Sequence, residues 1–163
     1  MSIKVVVMGV AGSGKSTLGA AIAKTLNCTF IDADDLHPAE NIAHMSNGKP
    51  LTDDMRWPWL DVCGAAMAEQ DMVILGCSAL KLSYRDRLRT FVPDLRLVYS
   101  QVPEHVIRKR FEERKGHFMP DQLITSQLGT LEEPSQDEAP IVVPASLSVE
   151  QAAKFASAAV LAK

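Results

Sequence analysis

The chain has 163 residues, with 17 Lys or Arg against 20 Asp or Glu, and a formal net charge of −3. This length predicts one domain, residues 1–163, and the acidic balance disfavours non-specific nucleic-acid binding. No apolar run approaches the ~20 residues of a membrane span. The three cysteines are far apart and odd in number, which is typical of a reducing compartment. We therefore expect a cytoplasmic domain with no membrane or nucleic-acid partner.

Short β-branched runs alternate with longer segments of helical period along the chain. Strands are predicted at 4–8, 29–31, 72–76, 95–99 and 141–143. Helices are predicted at 18–26, 38–45, 55–70, 80–91, 103–114 and 148–161, the last capped by Ser148. Segment 131–140, rich in Glu, Pro and Asp, is predicted to be a solvated loop. This alternation predicts an α/β fold, a doubly wound parallel sheet with helices on both faces.

A phosphate-binding motif follows the first predicted strand. Residues 9–16 fit the pattern G-x-x-x-x-G-K-[ST]. Its glycines allow backbone N–H groups to surround phosphate oxygens, and the following helix adds its positive N-terminal dipole. Lys15 is expected to neutralise the β- and γ-phosphates, and Ser16 to bind Mg²⁺. The predicted nucleotide-binding residues are Gly9, Val10, Ala11, Gly12, Ser13, Gly14, Lys15, Ser16 and Thr17. A glycine-rich turn without a ligand is the alternative.

Other parts of the sequence restrict the class of reaction in which the nucleotide could take part. A GTPase is disfavoured because no N-K-x-D string is present, and strand 72–76 does not end in the carboxylate of many ATPases. A small kinase remains, and it needs an acidic group near the acceptor. Asp32 and Asp34 follow the second strand, at the edge where α/β sheets bind ligands. One carboxylate could hold the water shell of Mg²⁺ and the other accept the acceptor's proton, while helix capping is the alternative.

Basic residues form two further candidate sites. Arg110 and Arg114 share one face of a predicted helix, where they could stack on adenine or stabilise the phosphoryl group in transfer. We predict a lid at about residues 114–126, hinged at Gly116, whereas an exposed charged helix is the alternative. Lys81, Arg85 and Arg89 form a second stripe, which is either a site for an anionic acceptor or a solvated helix face.

Several strings, in order over nearly the whole chain, resemble the gluconokinases of the small P-loop type. The phosphate loop alone is common to very many proteins, so the more selective strings carry the resemblance. They are residues 32–38 (Asp-Ala-Asp-Asp-Leu-His-Pro) with Asn41, 48–53 (Gly-Lys-Pro-Leu-Thr-Asp), 56–60 (Arg-Trp-Pro-Trp-Leu), 77–81 (Cys-Ser-Ala-Leu-Lys) with 84–86 (Tyr-Arg-Asp), 114–118 (Arg-Lys-Gly-His-Phe) and 131–134 (Leu-Glu-Glu-Pro).

The resemblance implies transfer of the γ-phosphoryl group of ATP to the 6-hydroxyl of D-gluconate, giving 6-phospho-D-gluconate and ADP. It implies a shikimate-kinase-like fold with a five-stranded parallel sheet, and it suggests a homodimer. Alternatives are a kinase of shikimate or another sugar acid, or a nucleotide-binding regulatory protein without an acceptor. The resemblance implies catalysis by Lys15, Asp34 and Arg114, nucleotide binding by Arg110, and Mg²⁺ binding by Ser16 and Asp32. The implied substrate-binding residues are Asp34, His37, Arg56, Lys81, Arg85 and His117. Among these, Arg56 or Arg85 is expected to bind the gluconate carboxylate.

Overall fold

The computed structural model describes residues 1–114 and 121–162. The strands are β1 (Ile3–Met8), β2 (Thr29–Asp32), β3 (Met72–Gly76), β4 (Arg96–Gln101) and β5 (Ile141–Pro144). The helices are α1 (Lys15–Leu26), α2 (Ala39–Ser46), α3 (Asp53–Ala68), α4 (Leu82–Phe91), α5 (Glu104–Glu113), α6 (Asp121–Thr130) and α7 (Val149–Ala162), with short 3-10 helices at Ala33–Leu36 and Gln136–Glu138. None of the helices in these two ranges has the length and apolar character of a membrane span.

The strands form a five-stranded sheet in the order β2-β3-β1-β4-β5, and every neighbouring pair is parallel. Since the strands are parallel, their carboxyl ends meet at one edge of the sheet. The loop after β1, the turn after β2 and the segment after β3 therefore come together there. The register pairs Asp32 with Gly76, which places the end of β2 directly beside the end of β3. The predicted parallel sheet is confirmed.

Both faces of the sheet are covered, as predicted for a doubly wound fold. Successive residues of β1 point to opposite faces: Val6 and Met8 belong to one buried cluster, while Val5 and Val7 belong to the other. The first cluster includes side chains from α3, α4, α5 and α6, and the second includes side chains from α1 and α7. This double burial explains why β1 reads as a continuous apolar run.

Local capping chemistry sets several helix boundaries. The predicted cap of the last helix is confirmed, because the Gln151 backbone N–H donates to Ser148 Oγ at 3.1 Å. Helix α3 begins two residues earlier than predicted. There Thr52 Oγ accepts from the Met55 backbone N–H at 3.3 Å and so starts the helix at Asp53.

The second half of the chain differs from the sequence predictions in two places. Helix α6 was not predicted, since its ten residues contribute only a short apolar face, with Leu123 and Ile124 buried. Segment 131–140 is not simply a solvated loop, because the Glu138 side chain is only 7% exposed. Its ion-pair partners lie about fifty positions away in the chain, so local composition carried no sign of this burial.

Candidate active site

The phosphate loop has the backbone conformation that its glycines permit. Gly12 (φ 84°) and Gly14 (φ 81°) are both left-handed, and Gly14 caps the N-terminus of α1. A Cβ at position 12 would lie 2.7 Å from Cε2 of Phe111, so a side chain there would also clash. Lys15 is the first residue of α1 and therefore brings its ammonium to a helix N-terminus. Together the helix dipole and the ammonium favour an anion at this place.

Hydrogen bonds from two neighbouring elements hold the loop by its carbonyl oxygens. Arg110 Nη1, from α5, donates to the Gly12 carbonyl at 2.8 Å. Ser100 Oγ, from β4, donates to the Ser13 carbonyl at 2.8 Å. The structure thus places Arg110, a predicted nucleotide-binding residue, directly against the phosphate loop. Its contact is with the loop backbone, which it helps to keep in place.

A cavity of about 590 Å³ opens beside the phosphate loop. Its volume lies within the range of small-molecule sites. Five residues that sequence reasoning selected line it: Ala11, Lys15, Asp34, His37 and Arg56. The other lining residues are Ile42, Met45, Ser46, Pro50, Leu51, Trp59, Ser78, Leu80, Leu123, Ser126 and Gln127. The phosphate loop and the predicted acceptor residues therefore share one cavity.

Sequence reasoning missed part of the cavity wall. Leu123, Ser126 and Gln127 come from α6, which was not predicted. The apolar residues Leu123, Ile124 and Leu128 at helical spacing were the available signal. Ser78 lies within the Cys-Ser-Ala-Leu-Lys string, which supported the resemblance without assigning this serine a role.

Asp34 presents an exposed carboxylate to the cavity. Its side chain is 70% exposed. The Asp34 backbone N–H donates to Asp32 Oδ1 at 3.0 Å, so Asp32 caps the short 3-10 helix that carries Asp34. Capping by Asp32 leaves the Asp34 carboxylate available for chemistry with a ligand.

His37 is a neutral N–H donor in the cavity wall. Its ring stacks on Trp59 with centroids 4.1 Å apart, and its Nδ1 lies 3.3 Å from Asn41 Nδ2. Because the same Nδ2 also donates to the Met55 carbonyl, Nδ1 must accept, and the ring proton is on Nε2. Burial lowers the pKa of His37, although nearby Asp34 raises it. The Nε2 atom of His37 lies 3.9 Å from Oδ1 of Asp34, next to that carboxylate.

Arg56 is held in the cavity wall by a polar cluster. Its Nη1 donates to the Leu51 carbonyl at 2.7 Å and to Tyr84 Oη at 3.0 Å. Tyr84 Oη donates to Asp53 Oδ1 at 2.5 Å, and the Lys81 ammonium lies 3.4 Å from both Asp53 oxygens. Burial and the bond to Asp53 raise the pKa of Tyr84 to about 12, while the bond from Tyr84 lowers the pKa of Asp53. The cluster thus orients an arginine that is only 14% exposed.

Two predicted acceptor-binding residues lie outside the cavity lining. Lys81 is engaged with Asp53, in the cluster that orients Arg56. Arg85 is only 1% exposed, and its guanidinium donates to the carboxylate of Glu138 and to the carbonyls of Ala79 and Glu132. The expectation that Arg85 meets an acceptor carboxylate is corrected, because these partners use its donors inside the protein. Of the two arginines, Arg56 is the one that lines the cavity.

Ser16 and Asp32 offer oxygen atoms of the kind that Mg²⁺ prefers. The strand register places Asp32 opposite Gly76. A Cβ built on Gly76 would lie 3.6 Å from Cα of Ser16, so all three residues meet at the same edge of the sheet. Asp32 Oδ1 accepts from the Asp34 backbone N–H, whereas Oδ2 has no hydrogen-bond partner among the described residues and could face a metal or its water shell. The residues present therefore fit a magnesium ion.

The predicted lid is described only in part. Arg114 is exposed and directly follows α5, with its guanidinium carbon 5.9 Å from the ring centroid of Phe111. His117 and the proposed hinge at Gly116 lie outside the described residues. The C-terminal part of the predicted lid, residues 121–126, forms the beginning of α6. Arg108 of α5 connects to this helix through Asp121 Oδ1 at 3.4 Å and Thr125 Oγ1 at 3.0 Å.

Comparison with known proteins identifies the family. A family model described as an AAA domain matches residues 5–134. The chain is 43% identical over 142 residues to the thermoresistant gluconokinase of Escherichia coli (strain K12), covering 85% of this chain and 81% of that protein. The chain belongs to the gluconokinase family and carries an AAA domain. The resemblance to the gluconokinases, which rested on the sequence strings, is confirmed.

Solved structures agree with the assignment to this family. A gluconokinase from Sinorhizobium meliloti 1021 superposes with a TM-score of 0.90 at 45% identity, covering 98% of this chain and 91% of that chain. A shikimate kinase from Acinetobacter baumannii superposes with a TM-score of 0.64 at 15% identity, covering 99% and 94%. The second likeness concerns the fold alone, and it confirms the predicted shikimate-kinase-like architecture.

Proposed function

We propose that this chain transfers the γ-phosphoryl group of ATP to the 6-hydroxyl of D-gluconate, giving 6-phospho-D-gluconate and ADP. One observation carries the proposal: Lys15 of the phosphate loop and the oriented cation Arg56 line the same cavity. An acceptor there meets a phosphate site on one side and a carboxylate partner on the other. Gluconate has both a carboxylate and a row of hydroxyls, and the related gluconokinases carry that substrate in their names.

The residues of the cavity have complementary roles in this reaction. Arg56 binds the gluconate carboxylate, since arginine offers a planar fork of donors. His37 Nε2–H donates to a hydroxyl oxygen, and Asp34 accepts the proton of the attacking hydroxyl. Lys81 acts through Asp53 as a positioning residue for Arg56, rather than touching gluconate itself.

Phosphoryl transfer is promoted mainly by positioning and charge stabilisation. Lys15 and the N–H groups of the loop bind the β- and γ-phosphates, with Gly9 to Thr17 forming the nucleotide site. Ser16 and Asp32 hold Mg²⁺, which when bound neutralises phosphate charge. Arg114 and His117 belong to the proposed lid, where Arg114 would stabilise the transferred group and His117 would contact substrate. Closure of the lid excludes water, which would otherwise compete as acceptor.

A panel of acceptors tests the proposed function. ADP release is measured with Mg·ATP and either D-gluconate, shikimate, a second sugar acid or no acceptor. We expect gluconate to give the highest kcat/KM, and mass spectrometry of the product to locate the phosphate on the 6-hydroxyl. A preference for shikimate or another acid would replace gluconate as substrate. ATP binding without stimulation by any acceptor would instead favour a nucleotide-binding regulatory protein.

Replacing Arg56 with lysine should raise KM for gluconate about 10- to 100-fold, with a smaller change in kcat. Within the described residues, Nε and Nη2 of Arg56 make no hydrogen bond, so they are available for a carboxylate. Lysine keeps the charge but loses the bidentate fork. Steady-state kinetics with gluconate varied at saturating ATP measure the effect, and binding of an ATP analogue should not change.

The matched control for this substitution is Arg87→Lys. Arg87 pairs with Asp61 at 2.6 Å on the exposed side of α4, away from the cavity lining. The KM of the Arg87→Lys enzyme for gluconate should stay within about twofold of the wild-type value, as for surface substitutions in general. An Arg56→Lys enzyme with unchanged KM for gluconate would remove Arg56 from carboxylate binding.

The cytoplasmic location and the homodimer remain predictions. Size-exclusion chromatography with light scattering measures the oligomeric state directly.

A further inference from the structure

A side chain from α6 accepts a hydrogen bond from a backbone N–H group of the phosphate loop. Gln127 Oε1 accepts from the Ala11 backbone N–H at 2.6 Å, across 116 positions of sequence. Both residues line the cavity that holds Lys15, Asp34 and Arg56. Gln127 therefore lies where the phosphate site and the acceptor site meet.

The Ala11 N–H cannot serve Gln127 and a phosphate oxygen fully at the same time. An amide oxygen is a neutral acceptor, whereas a phosphate oxygen is anionic and forms hydrogen bonds about twice as strong. A nucleotide whose phosphates enter the loop should therefore replace Gln127 at this donor. Breaking the hydrogen bond between Ala11 and Gln127 then lowers the net affinity for the nucleotide.

Helix α6 stays close to the loop when this bond is broken, because other contacts hold it. Arg108 of α5 binds Asp121 and Thr125 of α6. Arg110, on the same helix α5, binds the Gly12 carbonyl. The released amide of Gln127 therefore remains at the cavity. An amide has two N–H donors and one carbonyl acceptor, which suits the hydroxyls of a polyhydroxy acid.

We propose that Gln127 is an acceptor-binding residue that nucleotide binding makes available. In the nucleotide-free enzyme it is engaged by the Ala11 N–H, and in the complex with ATP it hydrogen-bonds a hydroxyl of gluconate. This inference rests on the proposed function for the identity of the acceptor. Because binding free energies are reciprocal, ATP should tighten gluconate binding and gluconate should tighten ATP binding by the same factor. Gln127 thus favours loading of both substrates before transfer.

Calorimetry with a non-hydrolysable ATP analogue, Mg²⁺ and no gluconate tests the competition. Gln127→Ala removes the competing acceptor, so the analogue should bind about fivefold more tightly, corresponding to one net hydrogen bond. Gln127→Glu keeps an acceptor and adds a negative charge, so the analogue should bind about tenfold more weakly. Gln122→Ala, at an exposed position of the same helix, is the matched control and should leave the affinity unchanged. Unchanged or weaker binding by Gln127→Ala would overturn the competition.

Gluconate kinetics test the second half of the proposal. In Gln127→Ala, KM for gluconate at saturating ATP should rise about 5- to 10-fold, and the mutual tightening of the two substrates should be lost. An unchanged KM with the coupling intact would remove Gln127 from acceptor binding. Failure of the proposed function is recognised separately, because then the wild-type enzyme itself does not phosphorylate gluconate. The calorimetric comparison of the variants still decides the competition in that case.

Discussion

Replacing Lys15 with alanine should reduce kcat for gluconate phosphorylation about a thousandfold or more, which is the scale of losing a charge that stabilises a phosphoryl group in transfer. Lys15 begins α1 and lines the cavity beside the phosphate loop. Alanine removes the ammonium but leaves the helix N-terminus and the loop backbone. The fold should persist, so far-UV circular dichroism and the melting temperature should stay close to wild type. Initial rates of ADP release measure the loss.

Lys24→Ala is the matched control for this experiment. Lys24 lies in the last turn of the same helix and is exposed. Its removal should change kcat by less than about twofold, as is usual for surface positions. A Lys15→Ala enzyme that keeps more than about a tenth of the wild-type kcat would show that this side chain is not part of the transfer step.

Replacing Glu138 with alanine should lower the free energy of unfolding by about 3–5 kcal/mol, the usual cost of leaving a buried charge without its partner. Glu138 Oε1 lies 2.7 Å from Arg85 Nε and 2.8 Å from Arg89 Nη2. The Arg85 side chain is 1% exposed, so water cannot take the place of the carboxylate. Urea denaturation of the purified variant measures the change. A loss below about 1 kcal/mol would show that the ion pair contributes little.

The pH dependence of stability provides a second test of the ion pair between Glu138 and Arg85. Although burial alone raises the pKa of Glu138, hydrogen bonds from Arg85 and Arg89 outweigh it, and the pKa lies below its usual value. The stability that this carboxylate contributes is therefore present above its unfolded-state pKa and is lost as pH falls through the folded-state value. The difference between wild type and Glu138→Gln should shrink in that acidic window. Asp137→Ala, exposed in the same 3-10 helix, should show neither effect.

The phosphate loop and the sheet follow from local signals in the sequence. Glycines at 12 and 14 meet a backbone requirement, since both adopt left-handed conformations and Gly12 has no room for a Cβ. The apolar run of β1 reflects burial on both faces of a parallel strand. Such features depend on residues near one another in the chain, so motif and periodicity suffice to predict them.

The roles of the basic residues were decided by tertiary structure. Arg56 and Arg85 were equal candidates for the acceptor carboxylate in the sequence, because both lie in strings that carry the resemblance and both offer a bidentate fork. Folding places Arg56 at the cavity and gives Arg85 a carboxylate of the protein itself, Glu138. Likewise the contact between Ala11 and Gln127 joins residues 116 positions apart. The sequence by itself determined the phosphate loop, the alternation of strands and helices, and the family. Only the packed chain decided which charges pair internally and which line the cavity, because that depends on distances between segments remote in the chain.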